Sequence, residues 1–393
     1  MHNRTRLDED DLHRRMQPLG VTVKITQITA QTVSVPIERP TAISTRSLGS
    51  REYVLVSVHT DEGLDGTGFT YAGTVGGAAT QAFISSALAP LLQGQDAQLI
   101  ARHWANMYQE VLLTGRRGAA LRAISAVDIA LWDLLGKAAS LPLARLLGGY
   151  ADEVPAYASG GYYRPGDPLD AIREEMSFYR ERGFTDYKIK VGGTSFDTDV
   201  ARVAEAREVI GSSARLALDA NNAWKWPHDA VRFARAVEQY DIWWLEEPLS
   251  PEDVRGHGDI GSAIDIPVAT GEIHATRWDF QALIESGAAS ILQPDAGVLG
   301  GVTEWMRVAH TASSSNRPVA PHWHANVHVH LAAAIENCLT VEYFALETDI
   351  FNFERLVTPE TRLQTVDGGR LAVPQRPGLG IEFDPEAIRR WAL

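Results

Sequence analysis

Three carboxylates, Asp219, Glu246 and Glu272, each close a short apolar run: RLALD, IWWLE and IPVATGE. Together they offer hard oxygen donors with no sulfur among them, the set that suits Mg²⁺. An acid after a strand also commonly caps the helix that follows. Three of them in consecutive units, brought together at low dielectric, would repel one another strongly without a cation, which favours a metal site. Glu247 directly follows Glu246, and strand alternation is expected to send it to the opposite face.

Lys188 and Lys190 stand two apart in DYKIK, so a strand presents both on one face, here the barrel interior. The flanking Tyr187, Ile189 and Val191 argue against a solvated edge strand. Mutual repulsion and a nearby cation are expected to bring one lysine's pKa toward neutrality, making it a usable base. Asp295 closes SILQPD and His322 closes PVAPH. A carboxylate one strand away fixes an imidazole's tautomer, giving an acid–base group across the mouth from the lysines. The segment HWHANVHVH holds His322, His324, His328 and His330; His322 is preferred because it directly follows the apolar run, and the others read as structural. Glu342, closing LTVE, is a hydrogen-bond partner for a substrate oxygen.

Lys190, Asp219, Glu246, Glu272, Asp295, His322 and Glu342 follow one another at intervals of roughly 20 to 29 residues, the length of a strand, a helix and two loops. One polar residue per strand end is how a parallel β/α barrel gathers a site at one mouth. The strands expected from the pattern are VPAYAS, DYKIKV, RLALDA, IWWLEE, IPVATG, SILQPD, PVAPH and LTVEYF. Upstream, VTVKITQITAQTVSVPI and REYVLVSVHT alternate or are β-branched, with ERPTAISTRSLGS between them and the glycine turn EGLDGTG after; this reads as an antiparallel meander. Leu121, Ile124, Val127, Leu131 and Leu135, before Gly136, keep helical spacing. The expected organisation is an extension over 1–20, an α+β capping domain over 21–148, a barrel over 149–365 and a C-terminal segment over 366–393.

Net charge is −14, from 36 basic and 50 acidic residues, which argues against a nucleic-acid partner. No run approaches the roughly 18 apolar residues of a membrane span, and the charged start MHNRTRLDEDDLHRRMQPLG lacks the apolar stretch of a signal peptide. Cys338 is the lone cysteine, so the cytoplasm is the expected location. An acidic protein that binds an anion must supply positive charge locally, from a metal or a few placed lysines.

KIK (188–190), LDANN (218–222), WLEEP (244–248), TGE (270–272), QPDAGVLGGVTE (293–304), PHWH (321–324) and VEYF (341–344) occur in this order. With AISAVDIALWDLLGK (123–137), PLARLLGG (142–149) and PGLGIEFD (377–384), the chain resembles the enolase superfamily in its mandelate racemase subgroup, over nearly its whole length. The resemblance implies an α/β fold, a (β/α)7β TIM-like barrel under an α+β cap, with the C-terminal tail returning to the cap. It implies one Mg²⁺ on Asp219, Glu246 and Glu272, with Lys190 and the His322–Asp295 pair as acid–base groups. Lys188 and Glu342 would neutralise or hydrogen-bond the substrate carboxylate, and Asn221 would approach the substrate at the metal. A homo-oligomer is expected.

A proton beside a carboxylate is too weakly acidic for a lysine alone; a divalent cation and a cationic lysine on the carboxylate oxygens would stabilise the resulting enediolate. Two outcomes are then open: return of the proton to carbon, which is racemisation or epimerisation, or loss of a β-hydroxyl to give a 2-keto-3-deoxy acid. The candidate capping segments are polar, with Thr41, Ser44, Thr45, Arg46 and Ser47 in one and Thr70, Tyr71 and Thr74 in another, and Tyr162, Tyr163 and Arg164 after the first barrel strand. These suit a sugar acid better than an apolar substrate; Arg46, Tyr71, Tyr162 and Arg164 are the expected contacts, and dehydration is the favoured outcome. A rival is an amidohydrolase-like zinc site on His322 and His324, although such a pair is expected on the first barrel strand, not the seventh. A barrel retained only for binding would lack a ligand or a base, and none is missing.

Overall fold

The computed structural model describes residues 22–366 and 369–393; the extension expected over 1–20 lies outside them. The N-terminal part is a three-stranded antiparallel sheet, β1 (Ile25–Ile43), β2 (Arg46–Thr60) and β3 (Asp65–Tyr71). ERPTAISTRSLGS does not separate β1 from β2 as a loop. Both strands run through it and pair as Thr41 with Leu48, Ala42 with Ser47 and Ile43 with Arg46. The register slips between Pro36 and Thr41, an irregularity where a proline without an amide donor is tolerated. The cap hairpin therefore reaches out with Ser44 and Thr45 at its tip.

The sheet packs on the helix Ala119–Ala139, whose inward residues are almost fully buried. That helix continues past Gly136, where the glycine lets it meet the C-terminal segment at close range: a Cβ there would lie 2.7 Å from Gly378 Cα. It stops at Ser140, in the left-handed conformation at φ 54°.

The barrel strands are β4 (Glu153–Gly160), β5 (Asp186–Lys190), β6 (Arg215–Asp219), β7 (Ile242–Glu246), β8 (Val268–Thr270), β9 (Ile291–Leu292) and β10 (Val341–Tyr343). β4 to β9 are parallel neighbours in sequence order, and β10 returns to pair with β4. The seventh position, expected as PVAPH, is reduced to parallel bridges from Val319 to Leu292 and to Cys338. Pro318 and Pro321 flank that position and cannot donate to a ladder, which limits pairing there. Helices such as Pro168–Glu181 and Phe196–Ile210 cover the outside.

Tyr157, Ala217, Trp244, Ala269, Ile291 and Ala320 fill the barrel interior beneath the mouth. The C-terminal segment adds the hairpin β11 (Thr365–Val366) and β12 (Arg370–Ala372) to β4. It then crosses to the N-terminal part, where the Leu379 amide donates to Asp133 Oδ1 at 2.7 Å and Leu393 N to Thr32 O at 3.0 Å. No described helix is long and apolar enough to cross a membrane.

Candidate active site

Strand register assembles the site. Lys190 pairs with Asp219 across β5–β6, and Asp219 with Glu246 across β6–β7, so three charged side chains end neighbouring strands at one level. Glu272 lies two residues past β8, beyond Gly271 at φ 136°. A Cβ on Gly271 would sit 2.7 Å from Phe280 and 3.0 Å from the Gln293 amide, so only glycine lets the chain turn here. The result is one cluster: Asp219, Glu246 and Glu272 each offer an oxygen within 4.8 Å of the others, all three buried.

The barrel floor holds these carboxylates in place. Glu246 Oε2 accepts from Trp244 Nε1 at 2.9 Å and Gln293 Nε2 at 2.6 Å, while its Oε1 accepts from Lys188 Nζ at 2.6 Å. Lys188 also contacts Glu342 Oε1 at 2.8 Å and lies 3.6 Å from Asp219 Oδ2. Lys190 Nζ donates to Asp219 Oδ2. Asn221, in the left-handed region at φ 44°, folds back so that its amide donates to Asp219 Oδ1 at 2.9 Å.

The charges do not balance. Asp219, Glu246, Glu247, Glu272 and Glu342 are all buried, against the buried lysines 188 and 190. Burial pushes Asp219 up, but Lys190 and Lys188 outweigh it and hold it at about 2. Glu246 is pushed up by burial and by Asp219. Glu272 is pushed well up by burial and then by Glu247 and Asp219, and its Oε2 has no hydrogen-bond partner. An excess of buried carboxylate oxygen, with an orphaned oxygen among the three converging donors, fits a divalent hard cation.

Glu247 corrects the strand-alternation argument. The chain leaves extended geometry at Glu247, φ 41°, and the side chain is near enough to feel the charges of Asp219 and Glu246. Burial, followed by Asp219 and Glu246, raises it well above the usual carboxylate range, and neither oxygen has a hydrogen-bond partner. The carboxylates of the site also act on both lysines. Burial opposes the ammonium charge of Lys190, yet Asp219 wins and raises its pKa; Lys188 is likewise raised, by Glu246 and Glu342 against burial.

His322 Nδ1 lies 2.8 Å from Asp295 Oδ2, and its Nε2 lies 3.6 Å from Glu272 Oε1. Asp295 is itself fixed by accepting from Gly297 N at 2.7 Å. Burial pushes Asp295 up, but the hydrogen bond and charge of His322 bring it below the ordinary range. His324, His328 and His330 are held by burial at about 3, 4 and 4. His324 sits among the aromatic rings of Tyr53, Phe69, Phe351 and Phe353. The one cluster of potential metal ligands among the described residues is the carboxylate triad.

One cavity is lined by Lys190, Glu272, His322, Asn221, Arg46, Tyr71 and Tyr162, together with Ile43, Arg51 and Trp323. Ser44 Oγ anchors the cap hairpin over it by donating to Ala220 O at 2.6 Å. Lys188 and Glu342 do not line this cavity. Glu342 has both oxygens engaged, by Lys188 and by Trp323 N at 2.7 Å, and Lys188 outweighs burial to hold it at about 2. Arg164 is not in this cavity. Gly161, at φ 64°, turns the chain away, and Arg164 lines a separate cleft with Arg39 and Glu175, where its Nη2 donates to Thr348 O. Arg51 was not anticipated; it opens an ordinary-looking strand, REYVLVSVHT, and only the β1–β2 pairing brings it over the barrel.

Residues 25–148 match the mandelate racemase/muconate lactonizing enzyme N-terminal domain, and residues 171–387 match the enolase C-terminal domain-like family. The chain therefore belongs to the enolase superfamily, in its mandelate racemase/muconate lactonizing group. It is 34% identical to the arabinonate dehydratase of Saccharolobus solfataricus, over 84% of this chain and 87% of that one. A racemase from Streptomyces coelicolor A3(2) with bound magnesium superposes with TM-score 0.87 at 32% identity, over 94% of this chain and 100% of that one. The L-talarate dehydratase of Polaromonas sp. JS666, complexed with Mg and L-glucarate, gives TM-score 0.83 at 33% identity, over 94% and 98%.

Proposed function

We propose that this chain is a Mg²⁺-dependent hydro-lyase that removes the proton alpha to the carboxylate of an acid sugar, an aldonate or aldarate, and eliminates water to give a 2-keto-3-deoxy acid. The observation that carries this reading is the single cavity into which Lys190, His322 and Glu272 all face. Relatives described as dehydratases of such acids, one of them with Mg and L-glucarate bound, support it.

Asp219, Glu246 and Glu272 would hold the cation. Bound there, Mg²⁺ supplies Lewis acidity that stabilises negative charge developing on a carboxylate. Lys190, relieved of its pairing with Asp219 once that carboxylate serves as a ligand, accepts or donates the C2 proton at Nζ. His322, its tautomer set by Asp295, presents Nε2 to the cavity as the second acid–base group. In dehydration the C2–H electrons form the C2–C3 double bond, the C3–O bond breaks, and the departing hydroxyl takes a proton and leaves as water. The enol then gains a proton at C3 to become the ketone. Lys188 holds Glu246 in place and supplies positive charge near the substrate's carboxylate, and Glu342 fixes the Lys188 ammonium group. Asn221, Tyr71, Tyr162 and Arg46 offer hydrogen bonds for hydroxyl groups.

The test is a panel of aldonates and aldarates incubated with Mg²⁺ and assayed for 2-keto-3-deoxy acids. Product that requires Mg²⁺ supports the reading; no product from any member counts against it. Proton-holding groups on two different strands also suit a second reading, racemisation or epimerisation at C2. Inversion at C2 without loss of water would favour that alternative.

A further inference from the structure

Arg51 stands apart from the other cations around the cavity. Lys190 is paired with Asp219. Arg122 stacks on Tyr71 at 4.4 Å and donates to Tyr71 O at 2.7 Å. Arg46 is exposed at the hairpin tip. Arg51 is 6% exposed, yet among the described residues no carboxylate pairs with it and its Nε has no hydrogen-bond partner. Its guanidinium lies over the face of Trp323, 4.6 Å from guanidinium carbon to ring centroid.

A buried cation without a counter-ion is costly, more so in a chain of net charge −14 where acidic partners are plentiful. The guanidinium opens onto the substrate cavity, and its planar fork matches a carboxylate. Its distance from the chemistry is also fixed. Trp323 carries Arg51 on its ring and stacks with His322, with ring centroids 5.6 Å apart. Arg51 and His322 thus line one cavity with Trp323 between them, so an anion on Arg51 would share the cavity with the group on which His322 acts. In that reading a cation on Asp219, Glu246 and Glu272 and a lysine would serve the carboxylate being activated, which leaves Arg51 surplus for a monoacid.

We propose that Arg51 receives the second carboxylate of a diacid sugar, making this chain selective for aldarates over aldonates of the same configuration. This rests on the acid-sugar reading above. It assigns a specificity residue in the cap to a reaction run by the barrel.

The experiment compares kcat/KM of the wild type, Arg51→Gln and Arg51→Lys on hexarates and hexonates of matched configuration, galactarate and galactonate among them, with Mg²⁺ present. Thermal melts confirm folding. Equilibrium binding of the same acids to each protein gives a readout independent of turnover. The expected result is wild-type preference for the diacid, a loss of about 100-fold on the diacid in Arg51→Gln, a much smaller loss on the monoacid, and partial recovery in Arg51→Lys. If monoacids react at least as well as diacids and Arg51→Gln lowers both alike, the assignment of Arg51 is wrong while the acid-sugar reading stands. If the wild type neither dehydrates nor exchanges C2 hydrogen with either class, the acid-sugar reading itself fails, and the inference with it.

Discussion

The imidazole of His322 and the carboxylate of Asp295 form a buried pair, Nδ1 to Oδ2 at 2.8 Å, that leaves Nε2 directed toward Glu272 at 3.6 Å. Asp295 does two jobs in this geometry. Its Oδ1 caps the short helix Ala296–Leu299 through Gly297 N, and the cap immobilises the oxygen that sets the tautomer of His322.

Asp295→Asn keeps the shape and the cap but can offer an amide N–H to Nδ1, stabilising the tautomer with its proton on Nε2. The expected loss in kcat is on the order of 10²–10⁴-fold, with KM changed little. Steady-state kinetics on the best acid sugar checks this, and a loss confined to KM would show that Asp295 serves binding instead.

Lys190→Ala and His322→Asn should each abolish turnover without unfolding the protein. Lys190 and His322 contribute to the cavity wall and not to the apolar clusters of the core. Activity assays paired with thermal melts test both halves; near-wild-type rates in either variant would show that the reaction runs without that group.

Chelation should remove activity, and Mg²⁺ should restore it. Because burial and mutual repulsion raise Glu246 and Glu272, a cation also relieves an unfavourable term in the folded state. The melting temperature should therefore rise with Mg²⁺ concentration. Glu272→Gln should blunt that rise, and an unchanged titration in this variant would place the ion elsewhere.

Cap and barrel are joined by a carboxyl group that prefers its proton. Burial pushes Asp128 up to about 7, while its oxygens accept from Thr303 N at 2.8 Å and Thr303 Oγ1 at 2.7 Å. The folded pKa is raised, so folding takes up a proton. The stabilisation is full below the unfolded value near 3.8 and is lost as pH rises through about 7. Denaturant unfolding from pH 4 to 8 should show stability falling over this window, by roughly 2–4 kcal/mol for this group. Asp128→Asn should flatten the fall, and an identical profile in the variant would assign it to other groups. Glu354, raised by burial to about 7, contributes in the same sense.

Much of the site was legible because a parallel barrel converts sequence order into spatial order. Once DYKIK, RLALD and IWWLE are strands, equal register makes Lys190, Asp219 and Glu246 neighbours. Where the reading failed, the chain departs from that regularity. Alternation does not apply at Glu247, because it assumes a strand that continues, whereas the backbone turns there at φ 41°. Arg164 was placed by its adjacency to Tyr162, yet the turn after β4 carries it to Thr348. Arg51 depends on how a separate sheet lies over the barrel, and its own strand pattern carries no trace of that contact.

The central claim is removal of the C2 proton by Lys190 and His322 in the presence of Mg²⁺, and proton NMR of the reaction in D₂O tests it most directly. With an active acid sugar, the account predicts a 2-keto-3-deoxy acid bearing solvent deuterium at C3, and no product from Lys190→Ala or after chelation. Neither product nor C2 exchange across the panel of aldonates and aldarates, or turnover indifferent to EDTA, would contradict it.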